Sequence, residues 1–394
     1  MASLFKGGLV FDGKDQLLED HGVLIEDHRI QDLAPLSSFD GCSAEIIDTA
    51  GATLMPGLTD CHVHLCYQGT ADPFATVYHQ TPGQVTLIAL ANARQSLRRG
   101  FTSLRDCGGK DYLEFAVRDA IRNGAFQGPS ILASGRMICM TGGHGNRMGR
   151  VADGCDEVVK AVREQIHAGC DLIKIMATGG VMTPGVNPED AHYSAEEMRA
   201  GISEAQRFHK RTASHAQGTA GILNAVRGGI NSVEHGIFMT DESIREMLEA
   251  GTYLVPTLAA LVNILANEGN GIPDYVIAKS KRIAEIHRQS ILAFYQAGGK
   301  IALGTDAGTP FNLHGNNAQE LAFMVDCGMR SVDALRAGCF NGADLMGLTD
   351  RGYIGKDAVA DLLVVNGNPV ADINAAADFR NHRAVYKHGM LVAQ

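Results

Sequence analysis

The chain has 394 residues, with 34 Lys or Arg against 44 Asp or Glu, so its formal net charge is −10. This acidic balance, without any basic run, argues against nucleic acid and anionic membranes as partners. No leader-like or bilayer-spanning apolar stretch is visible in the sequence. Nine cysteines without CxxC spacing are typical of reduced thiols. We therefore expect a cytoplasmic protein with no membrane partner.

The two ends of the chain share one pattern. Residues 1–55 contain short alternating apolar runs separated by turn residues such as Asp12-Gly13, and residues 357–394 repeat this pattern from Asp361 onwards. The alternation predicts β-strands from both termini that pair into one small sheet. We expect residues 1–55 plus 357–394 to form a small β-sandwich-like domain.

The middle of the chain alternates apolar runs with segments of helical periodicity, which predicts repeated βα units. The eight runs are Leu58–Leu65, Ser103–Cys107, Ser130–Ser134, Leu172–Met176, Thr212–Ala216, Ser232–His235, Tyr253–Pro256 and Ile301–Asp306. Helices are predicted at Val85–Arg99, Asp156–Ala168 and Ala195–His209. Together they predict an α/β fold, a (β/α)₈ TIM barrel, over residues 56–356.

Polar side chains fall in these runs, mostly at their carboxyl ends, the face where barrels build active sites. His62 and His64 are two residues apart on one strand, so both imidazoles point the same way and can share a metal. A lysine inside an apolar run is costly to bury without a partner. The further candidates are Lys174, His215, His235 and Asp306. Taken singly, each has a structural explanation: a histidine at the rim, or Lys174 in an ion pair with Asp306 or Glu234.

The set resembles a known signature. Met55-Pro-Gly-Leu-Thr-Asp-Cys-His-Val-His, Ser214-His215, Glu234-His235-Gly236 and Gly304-Thr305-Asp306, with Lys174, resemble the amidohydrolase superfamily over nearly the whole chain. The resemblance implies two divalent metal ions, usually zinc. It assigns His62, His64 and Asp306 to one ion, His215 and His235 to the other, and carboxylated Lys174 to both. It also implies hydrolysis of an amide C–N bond by a metal-bridging hydroxide, with Asp306 carrying the proton.

Two loops bear on the substrate. The glycine-rich loop containing His144 and the loop ending at Tyr193 resemble those of Xaa-Pro (prolidase-like) dipeptidases and N-acyl amino acid hydrolases. That similarity implies that His144 and Tyr193 contact the substrate's carbonyl or α-carboxylate, and it makes His144 a catalytic candidate. The alternative is that the glycines only permit tight turns and that Tyr193 covers the helix start capped by Ser194.

Other interpretations remain open. A carboxylate clamp could come from Arg136, Arg147 or Arg150, and the sequence does not choose among them. The substrate could instead be a cyclic amide or imide, as in imidazolonepropionase- or dihydroorotase-like enzymes. A non-catalytic scaffold is the remote alternative, which an intact ligand set disfavours. The expected partners are a small-molecule substrate and further copies of the chain in a homo-oligomer.

Overall fold

A computed structural model describes residues 2–394, and its strands and helices follow in chain order. The strands are β1 (Ser3–Lys6), β2 (Leu9–Phe11), β3 (Leu17–Leu18), β4 (His21–Glu26), β5 (Arg29–Pro35), β6 (Glu45–Asp48), β7 (Ala52–Pro56), β8 (Leu58–Val63), β9 (Phe101–Asp106), β10 (Ser130–Ala133), β11 (Ile138–Cys139), β12 (Arg150–Val151), β13 (Leu172–Met176), β14 (Arg211–Ala216), β15 (Ser232–His235), β16 (Tyr253–Val255), β17 (Leu362–Asn366), β18 (His382–Lys387) and β19 (Met390–Ala393). The α-helices are α1 (Pro73–Tyr78), α2 (Pro82–Arg98), α3 (Leu113–Arg122), α4 (Cys155–Ala168), α5 (Ala195–Arg207), α6 (Thr219–Gly228), α7 (Asp241–Ala250), α8 (Leu258–Ala266), α9 (Asp274–Gln296), α10 (Gln319–Asp326), α11 (Ser331–Arg336), α12 (Gly342–Met346) and α13 (Asn374–Ala377).

Parallel strands form the barrel that the alternation predicts. β8, β9 and β10 pair in one sheet, and β13 to β16 pair in another. Between β10 and β13 the Asp171 amide donates a hydrogen bond to the Ala133 carbonyl. Between β16 and β8 the chain segment at residues 301–307 closes the barrel, through isolated bridges from Leu254 to Ile301 and from Val63 to Ala307. The predicted fold class, a (β/α)₈ barrel with a small β domain, is confirmed.

The eighth predicted run, Ile301–Asp306, is bridged to its neighbours but does not form a continuous strand. Its backbone lies so close to β8 that a Cβ on Gly304 would come within 2.9 Å of the His62 Cβ. Asp306 then adopts φ 60°, the left-handed region that a non-glycine residue rarely occupies. The chain therefore leaves the extended conformation where Asp306 turns towards the barrel mouth.

The small domain contains two sheets, so the prediction of one sheet was incomplete. Strands from both chain ends share a six-stranded sheet in the order β19-β18-β17-β7-β2-β3, and N-terminal strands form a second sheet in the order β5-β4-β1-β6. β1 pairs with β4 and β6 instead of with the C-terminal strands. Alternating apolar residues bury a shared core that includes Val23, Leu54 and Leu362.

The predicted helices lie where periodicity placed them, with ends shifted by a few residues. α5 begins at Ala195 with the predicted capping box, in which the Ser194 side chain accepts from the Glu197 amide and Glu197 accepts from the Ser194 amide. Within residues 2–394, no helix combines the length and apolarity needed to cross a bilayer. All nine cysteines are free thiols.

A buried ion pair ties the small domain to the barrel, and we expect its loss to destabilise the fold. Lys387 Nζ lies 2.7 Å from Asp361 Oδ2 and also donates to the Thr102 carbonyl in the barrel. Asp361→Ala leaves the ammonium buried without its counter-charge, so we expect a loss of about 3 kcal/mol in the free energy of unfolding, measured with denaturant. Glu268→Ala, which breaks the exposed pair with Lys281, should cost less than about 1 kcal/mol. Equal losses of unfolding free energy in Asp361→Ala and Glu268→Ala would show that the buried ion pair does not stabilise the fold more than an exposed one.

Candidate metal centre and substrate cavity

The six predicted metal ligands meet in one cavity at the carboxyl end of the barrel. Each reaches it from a strand or from the eighth segment, because parallel strands in a barrel all end at the same face. The ligands that line this cavity are His62, His64, Lys174, His215, His235 and Asp306. All but Asp306 are buried, and only 13% of the Asp306 side chain is exposed.

Each of the four imidazoles has one nitrogen held by the protein. The bonds are His62 Nδ1 to Glu234 Oε2 (2.8 Å), His64 Nδ1 to the Gly108 carbonyl (2.8 Å), His215 Nε2 to the Gly179 carbonyl (2.8 Å) and His235 Nδ1 to Thr257 Oγ1 (2.6 Å). Because each of these nitrogens donates its proton, the tautomer is fixed and the other nitrogen keeps its lone pair. Metal-binding histidines in proteins are oriented in this way.

The remaining imidazole nitrogens and the Asp306 carboxylate lie close together. Asp306 Oδ1 lies 3.1 Å from His64 Nε2 and 3.5 Å from His62 Nε2. Ligand atoms of His62, His235 and Asp306 all lie within 4.8 Å of one another. Asp306 Oδ1 is buried and, apart from these imidazole contacts, has no hydrogen bond of good geometry, which is costly unless something else satisfies it. Imidazole nitrogens and a carboxylate oxygen are the ligands that Zn²⁺ and similar ions take, so the residues present fit a divalent metal.

Burial keeps most of these imidazoles neutral. It lowers the pKa of His62 and His215 well below the usual range and lowers the pKa of His235 to about 3. His64 differs: burial lowers its pKa, but the Asp306 carboxylate, the charge of Asp106 and the bond to the Gly108 carbonyl together raise the pKa above its ordinary value. A neutral imidazole is the form that binds metal, so desolvation prepares the site for an ion.

Lys174 has no carboxylate within ion-pair distance in residues 2–394. Its Nζ lies 3.4 Å from His62 Nε2, and the side chain is 2% exposed. The structural alternative, a pair with Asp306 or Glu234, is therefore absent. Glu234 is used elsewhere, as the partner of Arg105 and His62.

A buried chain of charges supports His62 from inside the barrel. Arg105 Nη2 donates to Glu234 Oε1 at 2.7 Å, and Glu234 Oε2 accepts from His62 Nδ1 at 2.8 Å. Arg105 also donates to the Cys61 carbonyl and to Ser232 Oγ, and both charged groups are almost completely buried. Arg105 therefore compensates the Glu234 carboxylate, and the carboxylate increases the basicity of His62.

The rest of the cavity is largely apolar. Besides the candidate ligands it is lined by aliphatic, methionine and aromatic side chains: Phe74, Val181, Met182, Ile237, Leu261 and Ile264. The first turn of α8, which supplies part of this wall, is fixed because Glu320 accepts hydrogen bonds from the Leu258 and Ala259 amides. Such a wall excludes water and favours a substrate with a bulky apolar group.

Of the two predicted substrate contacts, only His144 reaches the cavity. Its ring packs against that of His215 with centroids 4.5 Å apart and planes tilted by 44°, and Nδ1 is hydrogen-bonded to Thr183 Oγ1. Burial lowers the pKa of His144 to about 3. Tyr193 is also buried, but it lies outside the cavity lining, and its hydroxyl donates to the Ala152 carbonyl. Tyr193 is packed in the core because α5 begins directly after it.

The three arginines that could bind a substrate carboxylate differ in their side-chain contacts. Arg136 donates to the carbonyls of Met148 and Gly149, so it holds its own loop. Arg150 pairs with Glu157 and Glu164. In the described part of the chain, Arg147 alone of the three makes no side-chain hydrogen bond or ion pair. It lines a small cleft that shares Phe74, Gly145 and Met182 with the main cavity.

Sequence reasoning missed several cavity residues. Tyr67, Gln217 and Thr257 line the cavity and were not predicted, nor was the pairing of Arg105 with Glu234. A signal existed for Tyr67, which lies three residues after His64, and for Arg105, a charge inside an apolar strand.

Comparisons with known proteins identify the family. A profile of the Amidohydrolase family matches residues 53–392, which is most of the chain. The chain therefore belongs to the amidohydrolase family. Ochratoxinase from Aspergillus niger is 31% identical over 437 aligned residues, which cover 99% of this chain and 86% of the relative.

Comparison with solved structures supports the same family. A Xaa-Pro dipeptidase crystallised with methionine in its active site has a TM-score of 0.91 at 32% identity, covering 100% of both chains. A prolidase complexed with n-methylphosphonate-l-proline has a TM-score of 0.90 at 32% identity, covering 100% of this chain and 99% of that one. The prediction of a metal-dependent hydrolase that acts on amide bonds is confirmed.

Glu234 offers a direct test of the support for His62. In Glu234→Gln the shape is kept but the charge is lost, so we expect the affinity for Zn²⁺ to fall by about 10- to 100-fold, measured by chelator competition on metal-free protein. Glu204→Gln is the control, because Glu204 is also buried and paired with arginines, but in α5 away from the cavity. Wild-type affinity in folded Glu234→Gln protein would show that the carboxylate does not tune the site.

Proposed function

We propose that this enzyme hydrolyses the C–N bond of dipeptides, including Xaa-Pro, or of N-acyl amino acids. The observation that carries the proposal is the convergence of four oriented imidazoles, one carboxylate and one lysine on a cavity with a mostly apolar wall. The substrate class is supported by relatives that match essentially the whole chain: an ochratoxinase, a Xaa-Pro dipeptidase and a prolidase.

The proposed site holds two divalent ions, with zinc as the expected metal. His62 and His64 lie against Asp306, which supports one ion at this group, and the rings of His215 and His235 are 4.5 Å apart, which supports a second. Lys174 is placed to join the two groups, and carboxylation would replace an uncompensated cation by an anionic oxygen ligand. When bound, such ions polarise a carbonyl and make a hydroxide available at neutral pH.

The protein's own groups would then handle the substrate and its proton. Asp306 is the proton carrier in this proposal, because its Oδ1 lies among the candidate ligands without a hydrogen bond of good geometry and can pass a proton to the leaving nitrogen. His144, held by Thr183 above His215, contacts the substrate carbonyl or carboxylate. The apolar wall excludes bulk water and strengthens these polar contacts.

A substrate panel tests the proposal. Metal-free protein is reconstituted with Zn²⁺ and bicarbonate and incubated with dipeptides, N-acyl amino acids and cyclic imides, and release of amine is measured. We expect selective cleavage of linear amides, about two zinc ions per chain, and loss of activity on chelation.

The panel includes its own control and its contrary outcomes. Asp306→Asn should abolish turnover with the fold retained, because this substitution removes the proton carrier and a metal ligand. Selective cleavage of cyclic imides would contradict the substrate class. Fewer than about one ion per chain after reconstitution would favour the scaffold alternative.

Arg147 is the residue we propose for a substrate carboxylate, since its guanidinium is exposed, unpaired and next to the cavity. Arg147→Met should lower kcat/KM by about 10- to 100-fold for an N-acyl amino acid, mainly through KM. For the carboxamide analogue of that substrate, the same substitution should leave kcat/KM unchanged.

The control is Arg94→Met, because Arg94 is also exposed and lies outside both the cavity and the cleft. An equal loss on the acid and the carboxamide would rule out carboxylate binding by Arg147.

We further propose a homo-oligomer in a reducing compartment such as the cytoplasm. Nine free thiols, most of them buried, support a reducing environment. Size-exclusion chromatography tests the assembly, and a peak at the monomer mass alone would contradict it.

A further inference from the structure

Tyr67 is a rigidly held cavity residue that the proposed mechanism does not use. It follows metal-ligand candidate His64 by three residues, and their rings lie 5.2 Å apart, with Phe74 on the other side at 5.4 Å. Its amide donates to the His64 carbonyl, and its carbonyl accepts from Asn92 Nδ2. The side chain lines the cavity and is 2% exposed, so the protein determines where its hydroxyl lies.

The Tyr67 hydroxyl is buried but has no hydrogen-bond partner. Three other buried or partly buried tyrosines do have one: Tyr193 donates to the Ala152 carbonyl, Tyr253 to Asp344 and Tyr295 to Asp333. An unsatisfied buried hydroxyl destabilises a fold, so such a group needs an explanation. A tyrosine hydroxyl carries a proton at neutral pH, so this group can donate a hydrogen bond.

A second cavity residue has a buried hydrogen-bond acceptor without a partner. Gln217 Oε1 is also buried without a partner, and this carboxamide oxygen accepts a hydrogen bond. A linear amide offers what the two groups lack, an acceptor oxygen on its carbonyl and a donor on its nitrogen or amino group. The residues that line the cavity therefore include one with an unpaired donor and one with an unpaired acceptor.

We propose that the Tyr67 hydroxyl donates a hydrogen bond to the carbonyl oxygen of the scissile amide. This assignment rests on the proposed amide substrate. The position beside His64 places the donor at the metal-ligand end of the cavity, where the reacting carbonyl would lie. As charge develops on that oxygen during attack, a fixed donor in a water-excluded site stabilises it more than it stabilises the ground state.

The test compares two tyrosine substitutions that each remove only a hydroxyl. Tyr67→Phe should lower kcat by about 10- to 100-fold for the best panel substrate, with KM changed by less than about twofold and zinc content unchanged. The melting temperature should stay the same or rise, because an unsatisfied polar group has been removed. Tyr193→Phe should keep kcat and KM but melt a few degrees lower, because it loses a satisfied buried hydrogen bond.

Each contrary result has one meaning. Wild-type kcat in Tyr67→Phe, or a change in KM alone, would overturn the bond to the scissile carbonyl. A drop in melting temperature or zinc content like that of a structural residue would overturn it as well. If the wild-type enzyme cleaves no linear amide, the proposed function fails and the inference fails with it. If the wild type is active and Tyr67→Phe is unimpaired, only the inference fails.

Discussion

The arrangement of the site depends on one constraint, which is that a buried imidazole must satisfy both of its nitrogens. In this barrel one nitrogen of each candidate-ligand histidine is held by Glu234, Thr257 or the carbonyls of Gly108 and Gly179. The second nitrogens of His62 and His64 have only other candidate ligands, Lys174 and Asp306, as close polar neighbours. Desolvation disfavours the protonated form of most of these rings, so a metal ion is the natural partner for the free nitrogens.

Buried charges in the barrel are subject to the same requirement for a partner. Arg105 and Glu234 compensate each other beneath His62, whereas Lys174 has no carboxylate within ion-pair distance and Asp306 Oδ1 is buried without a hydrogen bond of good geometry. Unpaired groups of opposite sign are expensive inside a protein and persist where function requires them. The left-handed backbone at His235 and at Asp306 is a further local cost at the same ligands. Stability is thus given up at the mouth of an otherwise well-packed barrel.

Polarity divides the cavity into regions with different tasks. The candidate metal ligands form a polar and fixed group, and side chains such as Leu261 and Ile264 offer contacts for the apolar part of a substrate. Arg147 lies in the adjoining cleft with no side-chain partner, and Tyr67 and Gln217 each have an unpaired buried atom. An amide with an apolar group and a carboxylate would satisfy all three regions at once.

The sequence by itself predicted the barrel fold and the candidate ligands that meet at its mouth. Strand periodicity places His62 and His64 on one face, and parallel strands bring their carboxyl ends to one mouth, so contacts between residues 62 and 306 follow from local patterns. Tertiary structure alone decided which side chains complete the site. Tyr193 turns into the core and Tyr67 into the cavity, and Arg147 stays free while Arg136 and Arg150 are bound. These outcomes depend on loop geometry and on partners distant in sequence, which no local periodicity encodes.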